Sequence, residues 1–192
     1  RENLKRIPTD AQYRIRCDLL EQEIQRDRAQ GNRPICIVAN AGTVNTGAID
    51  DLPALADIAA RHQVWHHVDA AFGAALALSD SFRSLIKGIE RADSIAFDLH
   101  KWFYAQYDVG CALVRDVATL RQSFSPPASY LADMDRGIAS GPYQFGRMGV
   151  DLSRSYRALK AWMSLKEQGT ERYAQQIEQN IAQASYLAGR IT

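Results

Sequence analysis

Two residues in this chain have types and positions that could do chemistry together. The apolar run Ser94-Ile95-Ala96-Phe97 leads into Asp98-Leu99-His100-Lys101-Trp102, and upstream Trp65-His66-His67-Val68 ends in Asp69. In an α/β sheet, side chains at the carboxyl ends of strands converge on one ligand crevice. A primary amine delivered there can form a Schiff base with an aldehyde, and a carboxylate can hold a proton on a pyridine nitrogen so that the ring accepts carbanion electrons. That pair suits pyridoxal 5'-phosphate. On spacing alone a bland alternative carries equal weight: a lysine that snorkels at a strand end and an aspartate that caps a following helix. Strand alternation puts Trp65, His67 and Asp69 on one side. The small residues Ala70, Ala71 and Gly73 are expected to leave room for a flat ring against the backbone.

A metal centre built from His66, His67, Asp69 and His100 is disfavoured, because adjacent histidines on a strand point to opposite faces. The turn Gly42–Gly47 lacks the Gly-Lys-Ser/Thr ending of a phosphate loop, so a plain strand-to-helix turn is its simplest account.

The elements that must position these groups follow from pattern. A helix is predicted over 10–29, with Asp10 as cap and Ile15, Leu19, Leu20 and Ile24 at helical spacing. Ile35–Ala39 is expected to be a buried strand. Asp51–His62 is predicted as a helix with Pro53 in its first turn, Val64–Val68 as a strand, Ser79–Gly88 as a short helix, and Ser94–Phe97 and Gly110–Val114 as strands. Residues 121–148 carry scattered Pro and Gly with little periodicity, the mark of a long functional or mobile loop. A helix is predicted from Asp151 to Gln168 with Gly169 as C-cap, followed by an amphipathic helix with Tyr173, Ile177, Ile181, Ala184 and Leu187 on one stripe. Alternating strands and helices imply an α/β fold, a mainly parallel sheet with helices on both faces.

The bulk properties bound the rest. The chain has 192 residues, 46% hydrophobic and 23% charged, with a net charge of +1. That length allows one domain with a proper core. The near-zero charge supports neither nucleic acid nor membrane as partner, and no apolar run reaches the ~20 residues that span a bilayer. The three cysteines are odd in number and widely spaced, so buried free thiols in a reducing, cytoplasmic compartment are expected, with no metal bound. The chain opens on Arg1 and directly into polar sequence, so a piece of a longer protein is expected.

At the level of motifs the chain resembles the group II pyridoxal-phosphate-dependent amino-acid decarboxylases, among them the aromatic amino-acid, tyrosine, histidine, glutamate and diaminobutyrate enzymes. The likeness runs through Ala41-Gly42-Thr43, Asn45-Thr46-Gly47-Ala48-Ile49-Asp50, Trp65-His66-His67-Val68-Asp69-Ala70-Ala71-Phe72-Gly73 and Gly88-Ile89-Glu90-Arg91-Ala92-Asp93-Ser94. It continues through Ser94-Ile95, five residues, then Lys101-Trp102, and through Leu152-Ser153-Arg154-Ser155-Tyr156-Arg157-Ala158-Leu159-Lys160-Ala161-Trp162.

The resemblance implies a fold-type-I cofactor domain. Residues 1–150 would be the latter part of its large domain, with a mobile loop at 122–148, and 151–192 would be helices leading into a C-terminal small domain. It implies that Lys101 binds the cofactor aldehyde, that Asp69 pairs with the pyridine nitrogen, and that Ala71 packs beneath the ring. Thr43, Asp98 and His100 would lie by the cofactor, His100 and Asp98 near the phosphate and the lysine linkage. Tyr130 would be the loop tyrosine that protonates the substrate carbon after carbon dioxide leaves. Arg154, beside Ser153, would anchor the substrate, and the small Ser153 favours an aromatic side chain.

The resemblance further implies a homodimer whose loop closes over the neighbouring subunit's site, and ring-stacking and phosphate-binding residues upstream of this stretch, without which it would be inactive alone. Val44, Asp98 and Leu99 depart from the residues common in the family. Two alternatives stand beside the decarboxylase: an oxidative decarboxylase–deaminase yielding an aldehyde, against which Tyr130 argues, and a non-catalytic assembly module, against which Lys101 and Asp69 argue.

Overall fold

The computed structural model describes residues 3–124, 136–137 and 145–191. The chain falls into two compact units, one of Arg1–Leu113 with Arg157–Thr192 and one of Val114–Tyr156.

The first unit is built on a four-stranded sheet in the order β1 (Cys36–Asn40), β2 (Trp65–Asp69), β3 (Ser94–Asp98) and β4 (Gly110–Val114). β1, β2 and β3 are parallel. Their register sets Asn40 beside Asp69 and Asp69 beside Ala96. The crossover between β1 and β2 is helix α2 (Leu52–His62). Asp51 caps it by accepting the Ala54 N–H at 3.1 Å, Pro53 sits in the first turn, and Gln63 ends it in the left-handed region. Leu52, Leu55, Ala56, Ile58 and Ala59 recur at helical spacing and form its buried face. With Ile37, Ala39, Val68, Ala70 and Ile177 they make one core.

Several elements differ from the sequence-based expectation. Helix α1 spans Cys17–Ala29, not 10–29. Asp10 caps a turn instead of the helix, its Oδ1 accepting the N–H groups of Gln12 and Arg14 at 2.8 and 2.9 Å. The Ile15 N–H then goes to Asp50 Oδ1 at 2.7 Å. A short polar side chain offers the backbone a local partner and so competes with helix.

The predicted helix Ser79–Gly88 is replaced by a single 3₁₀ turn, Arg83–Ile86, flanked by two more at Gly73–Leu78 and Ile89–Arg91. Ser79 supplies part of the reason, since its buried Oγ accepts the Phe82 N–H and itself donates to Glu178. β1 is buried on one face only. Cys36 is exposed and Val38 is 49% exposed, because no described element covers that face of the sheet. The cysteines are free, as expected, but Cys36 is not buried.

The final helix, α4, spans Arg157–Ile191 and starts later than the expected Asp151. It breaks at Gly169, whose φ of 73° leaves the helical region. Tyr173 and Ile177 are buried and Ile181 packs on the core, whereas Ala184 and Leu187 are exposed. The second unit holds helix α3 (Val117–Phe124), partly inside the stretch expected to be loop. Asp116 starts it by accepting the Ala118 N–H and the Thr119 hydroxyl, each at 2.8 Å. The remainder of the expected mobile loop, including Tyr130, lies outside the described residues. No helix among those described is long and apolar enough to cross a membrane.

His66 alternates with His67 as expected and points into the core. It is 1% exposed, and neither ring nitrogen has a partner among the described residues. Burial holds its pKa below the ordinary histidine value, with Asp93 opposing. The unfolded chain therefore binds the extra proton first as pH falls. The contribution of the neutral, buried His66 to stability is fully present above about pH 6.5 and is lost progressively below it, toward the folded-state pKa. His66→Leu in the full-length protein is expected to flatten that loss between pH 7.5 and 5.5 in urea-denaturation midpoints. It should also stabilise by about 1 kcal/mol at neutral pH, because two unsatisfied buried polar atoms are removed. A variant with the same acid dependence as the parent would assign that dependence elsewhere.

Candidate active site

β2 and β3 end side by side, and that edge carries the candidate chemistry. Asp69 closes β2 with its side chain on the open face, the face it shares with Trp65 and His67, while His66 and Val68 are buried behind it. The Ala71 N–H donates to Asp69 Oδ1 at 3.1 Å, which orients the carboxylate and leaves the other oxygen free to accept. The Ala41 N–H donates to the Asp69 carbonyl at 2.8 Å, tying the ends of β1 and β2 together.

Lys101 is not on the strand itself. β3 ends at Asp98, and a tight turn, with the Lys101 N–H on the Asp98 carbonyl at 3.2 Å, carries the lysine back over it. Lys101 Nζ pairs with Asp98 Oδ2 at 2.7 Å, both side chains about a third exposed or less. The same ammonium stands 5.1 Å from the centre of the Phe72 ring, within cation–π range.

His100 is fixed by two contacts. The Val109 N–H donates to its Nδ1 at 2.9 Å, and its ring meets that of Tyr107 edge-on with centroids 4.5 Å apart. With Nδ1 accepting, the neutral ring carries its proton on Nε2, which remains a donor. Behind Asp69, the Trp65 indole N–H donates to Ser94 Oγ and Ser94 Oγ hydrogen-bonds His67 Nδ1, each at 2.7 Å.

Thr43 belongs to a closed turn. The N–H groups of Gly42 and Thr43 both reach the Ala48 carbonyl at 3.0 Å, and Thr43 Oγ1 accepts the Ala48 N–H at 3.1 Å while bonding Thr46 at 2.6 Å. The expectation that Ala70, Ala71 and Gly73 all make room for a ring is corrected. Ala70 is fully buried, and a Cβ on Gly73 would sit 2.3 Å from the Ala41 carbonyl oxygen. Gly73 is therefore needed for backbone to pack on backbone, and of the three only Ala71 is left partly exposed.

The structure thus brings Lys101 and Asp98 into contact at the edge of β3, with Asp69 and Ala71 beside them at the end of β2 and His100 in the intervening turn. Ser153 and Arg154 lie in the second unit, both exposed, with Arg154 Nη2 donating to the Asp151 carbonyl at 3.3 Å. Phe72, Ser94 and Asn180 are structural members of the site that sequence reasoning missed. Asn180 Oδ1, on α4, accepts the Trp102 indole N–H at 3.0 Å and the Tyr104 hydroxyl, and so holds the turn that follows the lysine. Strand register alone would have placed Ser94 beside His67; nothing local announces Asn180.

An orientable carboxylate at the end of β2 and an amine in the turn that follows β3 are the kind of donor set a pyridoxal cofactor requires, so the residues present fit that group. Comparison with known proteins decides the family. Residues 2–192 match the pyridoxal-dependent decarboxylase conserved domain. The chain belongs to the pyridoxal-dependent decarboxylase family.

Within it, the chain is 41% identical over 182 residues to an aromatic-L-amino-acid decarboxylase of Bacillus atrophaeus, covering 95% of this chain and 38% of that protein. It is 31% identical over 181 residues to a 3,4-dihydroxyphenylacetaldehyde synthase of Aedes aegypti, covering 94% and 34%. Among solved structures it is similar to Oryza sativa TDC with PLP and tryptamine, with a TM-score of 0.88 at 33% identity, covering 96% of this chain and 38% of that one. The chain thus spans less than two fifths of the length of each of these decarboxylase-family relatives. The expected fold-type-I architecture agrees with these structural neighbours.

Proposed function

We propose that the full protein catalyses pyridoxal-phosphate-dependent α-decarboxylation of an L-amino acid to the amine and carbon dioxide. The observation that supports this reading is Asp69 at the carboxyl end of β2 together with Lys101 in the turn that directly follows the neighbouring parallel strand β3. When bound, the cofactor supplies an aldehyde for exchange with amines and a protonated ring that accepts the electron pair left behind by carbon dioxide.

The chain's own residues do the rest. Lys101 Nζ binds the aldehyde carbon. Asp69 holds a proton at the pyridine nitrogen, its carboxylate steadied by the Ala71 N–H, and Ala71 packs beneath the ring. His100, with its Nε2–H left to donate, would lie by the cofactor, and Thr43 and Asp98 would border it. Arg154 pairs with a substrate carboxylate, a strong charge-assisted contact, and the small Ser153 beside it favours an aromatic substrate. In this reading the large domain runs to residue 150, the helices of 151–192 lead toward a small domain, and the enzyme is a cytoplasmic homodimer with its site at the subunit interface.

Borohydride reduction of the full-length protein loaded with pyridoxal 5'-phosphate, followed by peptide mass analysis, tests the assignment. The adduct is expected on Lys101; an adduct on Lys87 or Lys160 instead would overturn it.

The aldehyde-forming alternative is kept because one relative bears that name. Tyr130 distinguishes the two. As proton donor to the substrate Cα it would favour the amine. Tyr130→Phe is then expected to keep releasing carbon dioxide while product in air shifts from amine toward aldehyde and ammonia. Product analysis under air and under nitrogen reads this directly, and an unchanged amine yield in air would move the proton-donor role to another residue.

A further inference from the structure

We propose that Asp98 is the proton acceptor and donor for Lys101 whenever that lysine captures or releases an aldehyde carbon, and not a ligand of the cofactor phosphate. The inference rests on the cofactor reading above. Asp98 Oδ2 lies 2.7 Å from Lys101 Nζ, and the turn that closes on the Asp98 carbonyl holds the two three residues apart. On its other side Asp98 Oδ1 fits against Gly110, where a Cβ would stand only 3.2 Å from it. The carboxylate is thus seated between a glycine and the lysine. Phe72 covers the same ammonium with its ring face. Asp69 is committed to the ring nitrogen, so the base in contact with the reacting amine is Asp98. A carboxylate aimed at a phosphate would be repelled by it, whereas one aimed at an ammonium is at home.

An ammonium is not a nucleophile. In the proposed step Asp98 takes one proton from the Lys101 ammonium, and the freed amine adds to the aldehyde carbon, forming the C–N bond and leaving a neutral carbinolamine. Asp98 returns its proton to the carbinolamine hydroxyl. The C–O bond breaks, water leaves, and the lone pair on nitrogen closes a protonated imine. One ammonium and one aldehyde become one iminium and one water, with no change of oxidation state. The new cation sits where the ammonium sat, so Asp98 remains its counter-ion. Release of the lysine runs the same transfers backwards.

The test uses the full-length protein stripped of cofactor and mixed with pyridoxal 5'-phosphate, with borohydride quenching at successive times and mass analysis of the Lys101 peptide. Asp98→Asn keeps the side chain's shape and removes the base. It is expected to slow covalent capture about a hundredfold, at the lower end of general acid–base effects, while reaching the parental extent at long times. In Asp98→Gly, which vacates the place of the carboxylate, added formate should restore the rate in proportion to its concentration, and Asp98→Glu should recover most of it. Capture by Asp98→Asn at the parental rate overturns the proposal. So does slow capture that neither formate nor Asp98→Glu repairs, because that is the behaviour of a merely structural residue. Absence of any Lys101 adduct in the parent protein overturns the cofactor reading itself, and this inference with it.

Discussion

Asp69→Ala is expected to lower turnover of the full-length enzyme at least about a hundredfold while the cofactor stays attached. Asp69 ends β2 with its carboxylate on the open face, oriented by the Ala71 N–H. Its proposed task is to keep a proton on the pyridine nitrogen. Without that charge the ring nitrogen loses its proton and the ring is a poorer electron sink. The interaction matters most when negative charge flows into the ring, so the loss falls on the transition state and lowers kcat more than it raises KM. A loss on the order of 3 kcal/mol there corresponds to the stated rate change. The proposed attachment through Lys101 uses a different atom in the turn after a different strand, so the absorbance of bound cofactor should survive. Near-parental kcat in a fully loaded Asp69→Ala enzyme would remove Asp69 from the chemistry.

Gly73→Ala is expected to destabilise the protein by about 3 kcal/mol or more, the upper range for overpacking. The added methyl would lie 2.3 Å from the Ala41 carbonyl oxygen and 2.7 Å from its carbonyl carbon. Both are backbone atoms, so no side chain can swing away. The Gly73 N–H also donates to that carbonyl at 3.1 Å, and the Ala41 N–H donates to Asp69. Relief of the clash therefore moves the end of β1 and with it the end of β2 that carries the candidate site, so cofactor loading should fall together with stability. Gly47→Ala is the contrasting control. Gly47 has a φ of +69° but nothing within 4 Å of its Cβ position, so only the left-handed backbone cost of about 1–2 kcal/mol is expected. Urea-denaturation midpoints compare the two. Equal shifts would show that backbone conformation and not the close approach sets the cost at Gly73.

Much of this protein was legible before any fold was known, and the legible part has a common cause. α2 was readable because its cap, its first-turn proline and its apolar face all lie within one short segment. The opposite orientations of His66 and His67, and the shared face of Trp65, His67 and Asp69, follow from strand alternation, a local property of the backbone. That Asp69 and the segment leading to Lys101 belong to neighbouring strands with ends on one edge was readable from the α/β pattern, and the register sets Asp69 beside Ala96. The break at Gly169 needed only the glycine itself.

What the sequence left open depends on partners far along the chain. Ile15 falls in helical register with Leu19, Leu20 and Ile24, yet Asp10 and Asp50 offered the backbone of 10–16 better partners and α1 begins at Cys17. Gly73 looked like space for a ligand, and only the approach of Ala41 shows that backbone fills it. Asp98 and Lys101 are close in sequence, but a strand that continued straight would hold them apart; the turn after β3 brings them into contact. Asn180 reaches back from the last helix to Trp102 and Tyr104. Local pattern therefore determined which segments are strands and helices and which side chains share a face. Tertiary packing decided where helices start, which glycine is structural, and which acid touches the Lys101 amine, because each of those is a competition between hydrogen-bond partners or a steric contact that local pattern does not reveal.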